Sequence, residues 1–186
     1  MSPDNNPQST PVSLVLTVIG DDHPGLVESL STAISSHQGN WHESSMSHLA
    51  GKFAGIVAIS VPEAEIEALK ATLAALPGLR VTAEASRPAG PAAGETGTRR
   101  LKLALVGHDR IGIVREVSQV LARHAINVEE LTTHTASAPM SAEILFHANA
   151  ELTAARDLDA RALTGDLERI SNDLMVDITL DETIRA

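Results

Sequence analysis

Residues 14–19, LVLTVI, are apolar on both faces, the pattern of a central strand rather than one with a wet side. After a polar loop, apolar residues recur at 26, 27, 30, 33 and 34, the spacing of one helix face. Asp22 or His23 is placed to cap that helix, with Pro24 in its first turn, and Gly39 ends it. Asn40–Leu49 and residues 52–61 then read as two strands joined at Ala50-Gly51. Ile66, Leu69, Leu73 and Leu76 mark a second helix over residues 63–76, stopped by Pro77-Gly78. Leu79, Val81 and Ala83 alternate as a last strand. The predicted order is βαββαβ.

The chain then repeats itself. Displaced by 87 residues, 16–43 falls on 103–130 without a gap, and nine pairs are identical: Leu16/Leu103, Gly20/Gly107, Asp22/Asp109, Gly25/Gly112, Val27/Val114, Ser31/Ser118, His37/His124, Asn40/Asn127 and Glu43/Glu130. The second copy carries the helix face at 113, 114, 117, 120 and 121, and a hairpin of Asn127–Ser137 with residues 141–150. A helix over 154–171 follows, with Leu163, Leu167, Ile170 and Leu174 on one face. Val176, Ile178 and Leu180 alternate as its last strand, and Leu174 suits either element. The fold class is therefore α+β: two tandem ferredoxin-like βαββαβ modules, each an antiparallel sheet with helices on one face.

Residues 1–12 (MSPDNNPQSTPV) read as a disordered tail with neither the basic stretch nor the apolar core of a secretory signal. Residues 86–100 (SRPAGPAAGETGTRR) read as a linker between modules at 13–85 and 101–181. Each module is near the size at which one core is marginal, so pairing of the two copies, or a homo-oligomer, is expected. The 186 residues include no Cys, which removes thiolate metal sites and Cys nucleophiles. Three aromatics and a net charge of −10 argue against a base-stacking or phosphate-gripping surface, so no direct nucleic-acid partner is expected. The longest apolar run falls well short of a membrane span, and the expected location is the cytoplasm.

A first strand, a loop of Asp-Arg-Pro-Gly type with an aliphatic residue after it, an apolar helix and then Asn opening the second strand resemble the ACT domain, a ligand-sensing module of amino-acid metabolism. The loops here are Asp22-His23-Pro24-Gly25 and Asp109-Arg110-Ile111-Gly112, so the first lacks the Arg and the second the Pro. Two such copies with no further domain are similar to regulators of the glycine cleavage system repressor group. The resemblance implies a non-enzymatic regulator that binds an amino acid such as glycine or serine. It would act on glycine or one-carbon metabolism, or other amino-acid metabolism, through a protein partner such as a transcription factor. No cofactor or metal is implied.

Both loops have glycines for tight turns and lead into a helix N-terminus, where free N–H groups and the dipole favour a carboxylate. The candidate ligand-binding residues are Gly20, Asp22, His23, Pro24, Gly25 and Asn40 in the first copy, and Gly107, His108, Asp109, Arg110, Gly112 and Asn127 in the second. By resemblance, the ligand lies between the loop of one module and the second strand of a neighbour, with Asn40 or Asn127 hydrogen bonding and Asp22 or Asp109 meeting the ammonium. The plain structural reading makes the Asp residues caps and the Gly residues turns. Asp21 and Asp22 would repel a ligand carboxylate, whereas His108 and Arg110 flank Asp109, so the second loop is expected to be the better carboxylate site.

Other patterns carry less. Leu26 and Ile113 stand where a phosphate-binding G-x-x-x-x-G loop needs Lys. His42, Glu43 and His48 nearly form a zinc motif, but on a strand their spacing puts the imidazoles about 20 Å apart. Lys52-Phe53 weakly resembles an RNA-recognition strand without its second aromatic. Trp41 reads as a packing anchor, and His37 and His124, at helix ends, as structural. Two alternatives stay open: an interaction scaffold that binds no ligand, and a small enzyme using Asp22, His23 and Asp109 as acid–base groups.

Overall fold

The computed structural model describes residues 11–86, 98–138 and 143–183. The chain divides into two compact units on either side of the 91/92 junction. The first contains β1 (Pro11–Asp21), α1 (Leu26–Ser36), β2 (Asn40–Leu49), β3 (Lys52–Pro62), a 3-10 turn (Glu63–Glu65), α2 (Ile66–Ala74) and β4 (Leu79–Ala85). The second contains β5 (Thr98–His108), α3 (Ile113–Arg123), β6 (Asn127–Ser137), β7 (Ile144–Ala155), α4 (Ala160–Leu174) and β8 (Val176–Thr183). Both sheets are antiparallel, ordered β2-β3-β1-β4 and β6-β7-β5-β8. The expected pair of βαββαβ modules is what the chain forms.

Alternation decides which side of each sheet is dry. Leu14, Leu16 and Val18 point inward with Val57, Ile59 and Val61, and the helices close over them with Leu30, Ile34, Leu69 and Leu73. In the second module Leu101, Leu103 and Leu105 meet Val117, Val120, Leu121, Leu163 and Leu167. Trp41 is half-buried against the first core, as a packing anchor should be.

Several boundaries differ from the sequence reading. Pro11 and Val12 belong to β1, and Thr98, Arg99 and Arg100 to β5, so tail and linker are each shorter than expected. Residues 1–10 and 87–97, the rest of those two segments, lie outside the described residues. The first helix is not capped by Asp22 or His23: Gly25, in the left-handed region at φ 96°, is its N-cap, and Pro24 precedes the helix. At its other end Gln38, not Gly39, takes the left-handed position at φ 57°. Gly39 is needed for space instead, because a Cβ there would stand 2.8 Å from the Ile34 carbonyl oxygen.

The last helix starts at Ala160 rather than 154, because β7 runs on to Ala155 with Ala148, Ala150, Leu152 and Ala154 turned inward. Asp159 caps this helix, its carboxylate accepting from the backbone N–H groups of Arg161 and Ala162 at 3.1 and 3.0 Å. Leu174 is helical.

Candidate functional site

Each module places its glycine-flanked loop at the C-terminal end of the first strand, beside a hairpin and a helix–strand turn. In the first loop a Cβ on Gly20 would stand 2.1 Å from the Gly78 carbonyl oxygen, so only glycine lets β1 end against the turn before β4. The His23 ring lies over Gly78, with Nδ1 3.0 Å from the Pro24 carbonyl oxygen. The Asp22 backbone N–H donates to Gly51 at 3.0 Å, joining loop to hairpin, and its carboxylate is 3.6 Å from His48 Nε2. Asp21 pairs with Lys52, directly opposite on β3. The hydrogen bond from that ammonium, and its charge, hold the Asp21 carboxyl below the usual carboxylate range.

The second loop repeats the scheme with other side chains. A Cβ on Gly107 would meet Val176 Cγ1 at 2.2 Å. Asp109 N–H donates to Ile144 at 3.0 Å, again fastening the loop to its hairpin. His108 Nδ1 is 3.9 Å from Glu143, and Arg110 Nη2 donates to the Asp173 carbonyl at the end of α4 at 3.2 Å.

Both loops end on a left-handed glycine N-cap, Gly25 at φ 96° and Gly112 at φ 101°. Neither α1 nor α3 has a side-chain cap; α2 has none either but continues from the 3-10 turn at Glu63–Glu65, whereas α4 has Asp159. The first-turn N–H groups of an α-helix have no intrahelical acceptor, so these two ends can receive a carboxylate. The approach to Gly25 is open, whereas a carboxylate oxygen of Glu116 lies 3.4 Å from where a Gly112 Cβ would stand.

Gly20 to Gly25, with Asp22, His23 and Pro24 between them, are thus together, as are Gly107, His108, Asp109, Arg110 and Gly112. The asparagines are not with them. Asn40 pairs with Ser60 at the start of β2, whereas the loop end of that strand is His48 opposite Phe53. Eight residues of strand separate the two positions, about 26 Å. Asn127 is likewise opposite Thr153, and its amide donates to Glu129 at 2.6 Å beside a bulge between Val128 and Glu130. Any ligand held by loop and asparagine together therefore needs the asparagine of another module.

Sequence reasoning missed the hairpin groups beside the loops: Lys52, His48 and the Gly51 carbonyl in one module, Glu143 and Ile144 in the other. They also change the charge argument, because Lys52 offsets one of the two carboxylates held against the first loop. The signal was present in the strand register, which sets Lys52 opposite Asp21. His37 and His124 are structural in matching ways. His37 Nδ1 donates to Glu65 at 2.9 Å and its Nε2 is 2.8 Å from Thr72, while His124 Nε2 donates to Asp166 at 2.9 Å, so each ties the first helix of its module to the second. No group of three or more His, Cys, Asp and Glu suited to a metal occurs among the described residues.

The class these features define is a tandem βαββαβ protein whose first β–α turn ends on an uncapped, glycine-led helix. A family profile for the ACT domain matches residues 13–79. Along its length the chain is similar to a crystal structure of an unknown protein from Galdieria sulphuraria, with 30% identity over 94% of this chain and 100% of that one and a TM-score of 0.78. It also shares the fold of a candidate glycine cleavage system transcriptional repressor, with 19% identity, 95% and 100% coverage and a TM-score of 0.70. Nothing among curated proteins matches the sequence. The first module is therefore an ACT domain, and the second repeats its element order and its loop.

Proposed function

We propose that this protein is a non-enzymatic cytoplasmic regulator that binds an amino acid at its β–α loops and passes the signal to a protein partner in amino-acid metabolism, glycine and one-carbon metabolism foremost. The observation that carries the reading is the repeat of one glycine-led helix start in both modules. The two loops repeat a bare, glycine-led N-terminus while α4 has its own aspartate cap. The full-length likeness to the glycine cleavage repressor supports the fold's use in regulation and does not identify the ligand. Asp21, at the end of β1, is held ionised by Lys52, which removes that carboxylate as a general acid near neutral pH. Among the described residues no helix is long and apolar enough to cross a membrane.

Arg110 is the one Lys or Arg within the two glycine-to-glycine loops. It donates to the Asp173 carbonyl at the end of α4, and the positive charge it brings to this loop supports reading the second loop as the stronger carboxylate site, against the Glu116 carboxylate near Gly112. A melting screen over the twenty amino acids tests the sensor reading. A ligand at a hundred times its dissociation constant adds about 2.7 kcal/mol, raising Tm by roughly 5–10 °C for a chain this size. If none moves Tm, the protein is a scaffold whose loops are already satisfied by their hairpins. With a ligand found, calorimetric titration is expected to show a larger affinity loss for Asp109→Ala than for Asp22→Ala. Equal losses would overturn the ranking of the loops.

A further inference from the structure

The outward side of the first sheet breaks the usual rule for an antiparallel sheet with one wet face, which is apolar inward and polar outward. Its outward positions on β3 are Ala54, Ile56 and Ala58, paired with Ile19, Thr17 and Val15 on β1. Ile56 is 53% exposed and Ile19 37%. The second module is an internal control, since the same fold there has a more polar outward side, in which Ala104 and Val106 lie among Lys102, Glu151, Asn149 and His147. Where the first pairs Val15 with Ala58, the second pairs Lys102 with Glu151, their charges 3.4 Å apart; where the first has Ile56, the second has Asn149. The fold therefore does not require this apolar surface.

We propose that the outward face of the first sheet is an interface between two copies of this chain, packed sheet to sheet. The area suffices. With 11 residues in β3 and four strands across, the face measures about 37 by 19 Å, roughly 700 Å² per copy, close to the ~800 Å² per partner of a standard interface. Its layout is that of an interface, with an aliphatic centre and charges at the rim. Beside Ile56 a dip of about 240 Å³, bordered by Val15, Glu43, Ser45 and Ala58, accepts an aliphatic side chain from the opposing sheet.

Charge selects a second copy as the occupant and sets its orientation. On β4, Arg80 is level with Ile19 and Glu84 with Val15, so they lie symmetrically about Thr82, which is level with Thr17 and hence with Ile56. A two-fold axis crossing the strands at that level puts Arg80 over the partner's Glu84 twice, with the two Ile56 side chains at the centre. The alternative axis, along the strands, sets Glu43 against the partner's Glu84 and is repulsive, because both are level with Val15.

This interface stands apart from the ligand reading and is tested on the full chain by sedimentation equilibrium at micromolar concentration. The wild type is expected to be a dimer, and Ile56→Lys a folded monomer, its circular dichroism unchanged because Ile56 already faces water. Arg80→Glu is expected to raise the dimer dissociation constant at least tenfold, and adding Glu84→Arg to restore it, a rescue that a merely misfolded variant would not give. Asn149→Lys, on the second sheet, is expected to leave the dimer intact. A monomeric wild type, a dimer that survives Ile56→Lys, a charge swap without rescue, or dissociation by Asn149→Lys would each overturn the proposal.

Discussion

One substitution, glycine to alanine, should change sign with backbone geometry alone. Gly165 lies within α4 with nothing within 4 Å of an added Cβ, so alanine there gains helix propensity and stabilises by about 0.5–1 kcal/mol. Gly25 has equally open space but holds φ 96° as the N-cap of α1. Alanine in that region costs roughly 1–3 kcal/mol of backbone strain, against about 0.4–1 kcal/mol returned by a less flexible unfolded chain. The net is a loss of about 1–2 kcal/mol, and Gly112→Ala should match it because φ there is 101°. Gly20 is not left-handed, but it faces a collision instead, since the Gly78 carbonyl oxygen lies 2.1 Å from the Cβ position and is backbone that cannot swing aside. Gly20→Ala should therefore be the worst of the series.

Thermal melts followed by circular dichroism read the order directly. For a domain the size of one module, a loss of 1–2 kcal/mol lowers Tm by roughly 4–16 °C. The expected order of Tm is Gly165→Ala, wild type, then Gly25→Ala and Gly112→Ala, then Gly20→Ala. If Gly25→Ala and Gly165→Ala move Tm in the same direction, left-handed strain at the N-cap is not what fixes this loop, and the account of its shape fails.

Asp166 gives a pH prediction. The hydrogen bond from His124 first, and then the charges of Arg169 and Arg123, hold its carboxyl below the ordinary range. A folded pKa below the unfolded value of about 4 contributes stability in full above that pH and loses it as pH falls through the folded value. In His124→Gln, carbon NMR should show Asp166 titrating nearer the ordinary range, and the stability gap to wild type should narrow on acidification; an unmoved titration would remove the clamp from the argument. In the core, Leu163 is fully buried, so Leu163→Ala should cost about 2–5 kcal/mol in denaturant unfolding. A cost below 1 kcal/mol would mean the site collapses around the cavity.

Element order and the loops were legible in the sequence because the chain states them twice. The helix faces repeat at one offset, and Gly20, Gly25, Gly107 and Gly112 punctuate the same turns. The errors arose where local composition opposed tertiary pairing. Residues 151–155, ELTAA, have helix-forming composition and fall outside the strand that the sequence predicts, yet pairing with β5 keeps them extended. Thr98, Arg99 and Arg100 read as linker because nothing local reveals their partner. Arg99 is fixed by a two-pronged contact with Glu182, both bonds 2.9 Å, from the far end of the module. The hairpin groups beside each loop were hidden for the same reason, since register across a sheet is not a local property.

The two copies differ in an orderly way that bears on what each part is for. Many of the identical pairs lie where the fold or loop needs them: Leu16 and Leu103 in the cores, Gly25 and Gly112 at the helix starts, Asp22 and Asp109 on the hairpin carbonyls, His37 and His124 between helices. At three outward positions of the central strands the copies part, Val15 against Lys102 on the first strand and Ala58 against Glu151 and Ile56 against Asn149 on its neighbour, while Ile19 and Val106 stay aliphatic in both. A scaffold valued only for stability would have no use for two matched, uncapped helix ends, because a cap such as Asp159 would stabilise each of them. A sensor with equivalent outward faces would have no means of orienting its assembly. Matched loops with unlike faces reconcile the two requirements: the same chemistry is offered twice, while one face is free to bind a second copy and the other remains wet. A ligand then regulates only to the extent that it binds one arrangement of these modules better than another.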